Sequence, residues 1–172
     1  MEELKPIGSH RFNIALAVLG MILAVSGNLM PTPMLQKSLY LAASVCLTTS
    51  AVLERLNFFI AFQCVILTGT LIAFFPLAAH VKLITPLIVA VVALTIVFTK
   101  QNNIDYHTVL GILGIITLAV GYSVTHPAAY FAGSVLLAIY SAIAFKRGVA
   151  IAWVWTLLNS IFAVTAFLHF FR

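Results

Sequence analysis

The sequence predicts an all-α polytopic membrane protein with seven transmembrane helices, arranged as two parallel three-helix repeats joined by a linker helix. Three observations carry this reading. Hydrophobic residues make up 63% of the chain and charged residues 8%, with a mean hydropathy of +1.14. A water-soluble domain lacks the polar groups to cover such a surface. The apolar residues fall into seven runs, each roughly 18–23 residues and so long enough as a helix to cross a hydrocarbon core about 30 Å thick. Finally, the chain resembles itself: Val18-Leu19-Gly20-Met21-Ile22-Leu23-Ala24-Val25-Ser26-Gly27 returns 94 residues later as Ile112-Leu113-Gly114-Ile115-Ile116-Thr117-Leu118-Ala119-Val120-Gly121. Pro33 meets Pro127 at the same offset. Shared glycines and prolines weigh more than shared leucines, because they carry backbone information.

The first run, 12–30, follows Lys5 and Arg11 and passes through Ala24-Val25-Ser26, the outline of a signal peptide. Its near copy around Gly114 lies mid-chain, where no signal peptide can be, so it reads as a retained helix. Pro31-Thr32-Pro33 separates it from 36–53, and Glu54-Arg55 separates that run from 57–76. The fourth run, 81–98, lies between His80 and Lys100-Gln101-Asn102-Asn103. The last three, 107–124, 127–145 and 149–171, are parted by Thr125-His126-Pro127 and Lys146-Arg147-Gly148. In the third helix of each half the offset drifts to 96, placing Gln63 opposite Asn159 and Phe74-Phe75 opposite Phe170-Phe171. The chain then divides into an N-terminal segment (1–11), a first repeat (12–76), a linker helix with its loops (77–106) and a second repeat (107–172). One span between two triplets makes the halves run the same way through the membrane.

The net charge of +5 reports topology, since the basic residues are scattered along loops and form no nucleic-acid footprint. Lys5, Arg11, Arg55, Lys100, Lys146 and Arg147 share the N-terminal side; Lys37, Lys82 and Arg172 lie opposite. This bias puts the N-terminus in the cytoplasm and the C-terminus outside. Compactness and the lack of a targeting segment suggest a bacterial inner (plasma) membrane.

Two carboxamides stand out chemically. Gln63 and Asn159 occupy corresponding positions in the repeat and would meet near its pseudo-axis, offering donors and acceptors to a neutral polar solute. Interhelical hydrogen bonding is the alternative use of such groups. Trp155 lies one turn before Asn159, where an indole beside an amide suits a ring-bearing or sugar-like ligand. Asn28, near the end of the first run, joins this set. Cys46 and Cys64 form no CxxC pair and read as small buried hydrophobes. No histidine or cysteine spacing suits a metal, and no cofactor is expected. Glu54 and Asp105 sit at membrane edges, so no carboxylate relay crosses the membrane. Paired carboxylates and nucleophile–base sets are missing too, which argues against an enzyme. Ser26, Ser44, Ser141 and Ser160 read as small residues permitting close helix contact.

A three-plus-one-plus-three plan of this size resembles the PQ-loop superfamily, which includes the SWEET sugar transporters and the bacterial nicotinamide riboside transporters. Met34 and Ala128 stand where the family's Pro-Gln signature has glutamine. The resemblance implies that Pro33 and Pro127 are hinges, with Gly27 and Gly121 beside them. It also implies that Gln63 and Asn159 match the asparagines facing the central cavity of SWEETs, and that Trp153 to Asn159 resembles the last-helix site of the vitamin transporters. The expected function is a facilitator moving a small neutral polar solute, such as a sugar, vitamin or nucleoside, by alternating access. A non-transporting membrane subunit or scaffold is the competing reading. Expected partners are the solute and the lipid bilayer, with a homo-oligomer left open.

Overall fold

A computed structural model describes residue 7 and residues 9–100, 105–124 and 127–168. Among the described residues there are seven helices and no strand: α1 (His10–Leu29), α2 (Pro33–Leu53), α3 (Asn57–Ile72), α4 (Ala79–Lys100), α5 (Tyr106–Val124), α6 (Pro127–Lys146) and α7 (Ala152–Leu168). Three segments are long and apolar enough to cross a membrane, namely His10–Leu29, Ala79–Thr99 and Ala128–Lys146. Asn57–Ile72, Tyr106–Gly121 and Ala152–Leu168 are apolar but shorter. The expectation of seven full-length spans is thus met by three helices. The difference arises at the helix ends, where apolar residues belong to turns: Ala73 to Ala78 leave α3, and Val149 to Ile151 precede α7. α2 has 21 residues but carries Gln36, Lys37, Ser38, Ser44, Thr48, Thr49 and Ser50.

Each element ends for a local reason. Pro33 opens α2 at its first turn, where a missing N–H costs nothing. α2 and α6 close alike. Leu56 donates to the Ala51 carbonyl and Arg55 to that of Val52; Val149 donates to Ala144 and Gly148 to Phe145. Both are Schellman closures, whose pivot residue takes positive φ: 56° at Arg55 and 97° at Gly148. Asp105 caps α5, accepting from the Thr108 backbone N–H and hydroxyl, each at 2.9 Å.

Helices adjacent in sequence pack together throughout; α1–α7 contacts join the two ends of the row, and α3–α5 contacts link the halves across α4. Glycines set the closest approaches. A Cβ on Gly20 would stand 2.8 Å from Leu47 Cγ of α2, and one on Gly114 2.8 Å from Leu137 Cγ of α6. One on Gly133 would meet the Leu118 backbone nitrogen at 2.7 Å. Such small residues let helix backbones approach closely. Apolar side chains fill the core and cover the surface as well, while a set of polar ones is buried among them. Asn13, Ser44, Ser50, Gln63, Ser134, Ser141 and Asn159 are buried, whereas Phe12, Leu29, Ile88, Val91 and Val164 are exposed. Hydroxyls on the helices bond to carbonyls one turn back, as Thr48 does to Ser44 and Thr95 to Val91.

Candidate functional site: a polar cavity between the helices

A cavity of about 890 Å³ runs between α1, α2, α3, α4, α6 and α7, with Leu118 of α5 in its wall. It opens where α1, α3 and α7 end and α2, α4 and α6 begin, because exposed Leu29 and Leu168 stand on its rim. Along α3 it reaches from Ala73 down to Phe62, about 16 Å at 1.5 Å per residue. Its volume falls in the range of small-molecule sites.

Gln63, Asn159 and Asn28 all line this cavity. Gln63 sits on α3 with 1% of its surface exposed, and its Oε1 has no hydrogen-bond partner among the described residues. Asn159, equally deep on α7, donates from Nδ2 to the Trp155 carbonyl at 2.8 Å. Asn28 accepts at Oδ1 from the Tyr40 hydroxyl, while its buried Nδ2 has no partner. Trp155 is placed differently. It is wholly buried, does not line the cavity, and packs on Phe59 with ring centroids 4.4 Å apart. The indole belongs to the floor beneath Asn159, because its position one turn earlier on α7 lies towards the closed end.

That floor is aromatic. Phe58 packs on Tyr140 at 4.0 Å between centroids, Phe59 on Tyr140 at 5.6 Å, and His107 stacks on Tyr140 at 4.3 Å. Below it, polar clasps tie helix starts to helix ends. In the first half Glu54 accepts from Asn13 Nδ2 and pairs with His10 Nδ1, both at 2.8 Å. In the second, Arg147 Nη1 donates to Asp105 at 2.7 Å. The Arg147 guanidinium, helped by the Thr108 N–H, holds the Asp105 carboxyl below the usual carboxylate range.

The four expected hinge positions divide. Gly27 and Gly121 are contact points: a Cβ would stand 2.9 Å from the Tyr40 ring and 2.9 Å from the Tyr130 nitrogen respectively. Pro33 and Pro127 begin α2 and α6, so neither interrupts a helix. The proline inside a helix is Pro86 of α4, which lines the cavity and withholds the hydrogen bond that the Lys82 carbonyl would otherwise accept.

Sequence reasoning missed several lining residues: Tyr40, Tyr130, Ser134, Thr70, Lys37 and Lys82. Ser134 is 1% exposed and its hydroxyl is unpartnered. Ser44, read as a packing residue, lines the cavity and meets Thr70 Oγ1 at 3.2 Å. For Tyr40, Tyr130, Ser134 and Thr70 the missed signal was the offset itself. Leu118, Tyr130 and Ser134 lie 94 residues after Ala24, Gln36 and Tyr40, all of which line the cavity. On α7, Leu158, Asn159, Phe162, Thr165, Ala166 and Leu168 lie 96 residues after Phe62, Gln63, Ile66, Gly69, Thr70 and Ile72, which line it too. Every second-half residue described in the wall therefore has a first-half counterpart there. No family model, curated protein or solved structure matches the chain.

Proposed function

We propose that this protein is an integral membrane transporter that binds a small polar solute in the cavity and passes it by alternating access between two related halves. The matched lining carries the reading: each second-half residue described in the wall, at an offset of 94 on the first two helices and 96 on the third, repeats a first-half position that lines it too. Packing alone does not require matched residues to share a cavity. A pseudo-symmetric solute site does. The unpartnered atoms add support. Gln63 Oε1, Asn28 Nδ2 and Ser134 Oγ are buried without partners, and all three residues line this cavity. Each such group costs about 1–3 kcal/mol, which a bound solute or ordered water offsets.

All seven helices cross the bilayer in this reading, with the shorter ones flanked by apolar turns, and the charge bias places the cavity mouth on the outer side. The aromatic floor is then the closed inner gate, and Asn159 rests directly above it. Rocking of one triplet against the other opens the floor and closes the mouth. The α1–α7 and α3–α5 contacts, where the first helix of each half meets the third of the other, suit such a motion.

Reconstitution into liposomes tests this. Solutes from a panel of sugars, nucleosides, vitamins, amino acids and organic acids are expected to raise the melting temperature, and one class to cross the membrane. Asn159→Ala is expected to abolish both effects. A flat response across the panel in folded protein, with Gln63→Ala and Asn159→Ala silent in the parent cell, would end the proposal.

A further inference from the structure

We infer that the solute is an organic anion, held at the cavity mouth by Lys37 and Lys82 through its charged group and at depth by the carboxamides through its uncharged body. This rests on the cavity being the solute site. Lys37 of α2 and Lys82 of α4 both line the cavity, and neither has an ion-pair partner among the described residues. Of the chain's four side-chain carboxylates, Glu54 and Asp105 lie within the described residues, and both stand at the opposite end of the bundle. Glu54 and Asp105 are already engaged there, with His10 and Asn13 and with Arg147. Nothing acidic within the described residues neutralises the mouth.

A low-dielectric wall focuses this charge. A cleft lined by one sign of charge raises the local concentration of the opposite ion. The hydrogen-bonding inventory agrees. Next to Leu29 on the rim, Asn28 Nδ2 is a buried donor without a partner. Gln63 lies about 13 Å deeper than Ile72 at the rim, so a charged group at the mouth leaves room for a polar body reaching the amides. Lysines that merely reach out to the headgroup region would face the bundle exterior. These two are part of the cavity wall.

The test reads the potential in the cavity without knowing the ligand. In a Cys46→Ala/Cys64→Ala background, Thr165→Cys places a thiol in the wall, with Ile66→Cys as a second reporter should the first not fold. Each is treated in uncharged detergent with an anionic (sulfonatoethyl) and a cationic (trimethylammonioethyl) methanethiosulfonate. Rates are normalised to those of a free thiol. At low salt the anionic reagent is expected to be favoured about tenfold, the ratio falling towards one in 1 M salt or in Lys37→Gln/Lys82→Gln. Equal normalised rates would overturn the anion assignment while leaving the solute site intact. Failure of either reagent to reach both thiols would remove the open cavity, and the proposed function with it. Repeating the labelling in nanodiscs separates the sources of the anion. Protection by millimolar gluconate or inorganic phosphate in phosphatidylcholine discs is the expected result. Protection only when phosphatidylglycerol is present would assign the mouth to a lipid headgroup and overturn the soluble-anion form.

Discussion

Gln63 separates folding from function more clearly than any other side chain. A buried carboxamide oxygen without a partner lowers stability, and removing it by an isosteric apolar residue removes that cost. Gln63→Leu is therefore expected to raise the melting temperature or leave it unchanged, a gain of up to about 1 kcal/mol, while weakening solute binding at least tenfold. Thermal unfolding with and without ligand checks both halves of the statement. A variant that is strongly destabilised would mean the amide is structural glue. Asn159→Leu should behave differently, losing the bond to the Trp155 carbonyl and about 1 kcal/mol with it. These two amides were legible in the sequence because polar groups stand out in an apolar run. Ser134 was not, because a serine hydroxyl in such a run has the local option of a backbone carbonyl one turn back, and Tyr40 and Tyr130 were not, because an aromatic ring blends into an apolar run. Trp155 shows the opposite limit. Helical spacing correctly put it on the face of Asn159, but spacing alone does not say which of two stacked positions lies in the void and which beneath it.

Helix ends and crossings carry their own consequences. Arg55 adopts φ 56° at the pivot of the α2 closure, where Gly148 serves in α6. Arg55→Gly should stabilise by about 0.5–1 kcal/mol by relieving the Cβ strain, net of the added chain entropy. A lowered melting temperature would show that the Arg55 side chain contributes more than its backbone costs. Gly133→Ala should cost about 2 kcal/mol or more, since its Cβ would press on Leu118 backbone, which cannot rotate aside. The α5 cap adds a pH dependence with a definite sign. Asp105 has a depressed carboxyl pKa when folded, so its contribution is fully present above the unfolded carboxylate range near pH 4 and is lost as pH falls below it. Asp105→Asn should flatten the acid limb of stability against pH; an unchanged limb would remove the clasp from the account. The existence and order of all seven helices were readable from apolar runs and the Gly/Pro breaks. Their ends were less so, because apolar residues such as Phe74 and Phe75 look the same in a last turn as beyond it.

Among the described residues the molecule is polarised: carboxylates and clasps at one end, a cavity with unpaired lysines at the other. For the mouth to face outward, the helices must alternate across the bilayer, and α3 is the strictest case. Its 16 residues span about 24 Å, short of a hydrocarbon core about 30 Å thick. Two features relax the mismatch. From Gln63 to Ile72 one face of α3 borders the cavity, where water and solute meet it and lipid does not. Beyond Ile72, Phe74 and Phe75 extend the apolar surface in a turn whose N–H groups bond back to Leu71 and Ile72. In the transporter reading, single cysteines at Asn57 and Leu77, both exposed, are expected on opposite sides of the membrane. A membrane-impermeant maleimide applied to intact cells should label Leu77→Cys, and should reach Asn57→Cys only after permeabilisation. Labelling of both from outside would mean that α3 does not cross and that the cavity cannot be a transmembrane path. The reverse pattern would keep the path but turn its cationic mouth to the cytoplasm, making this conformation the inward-open one.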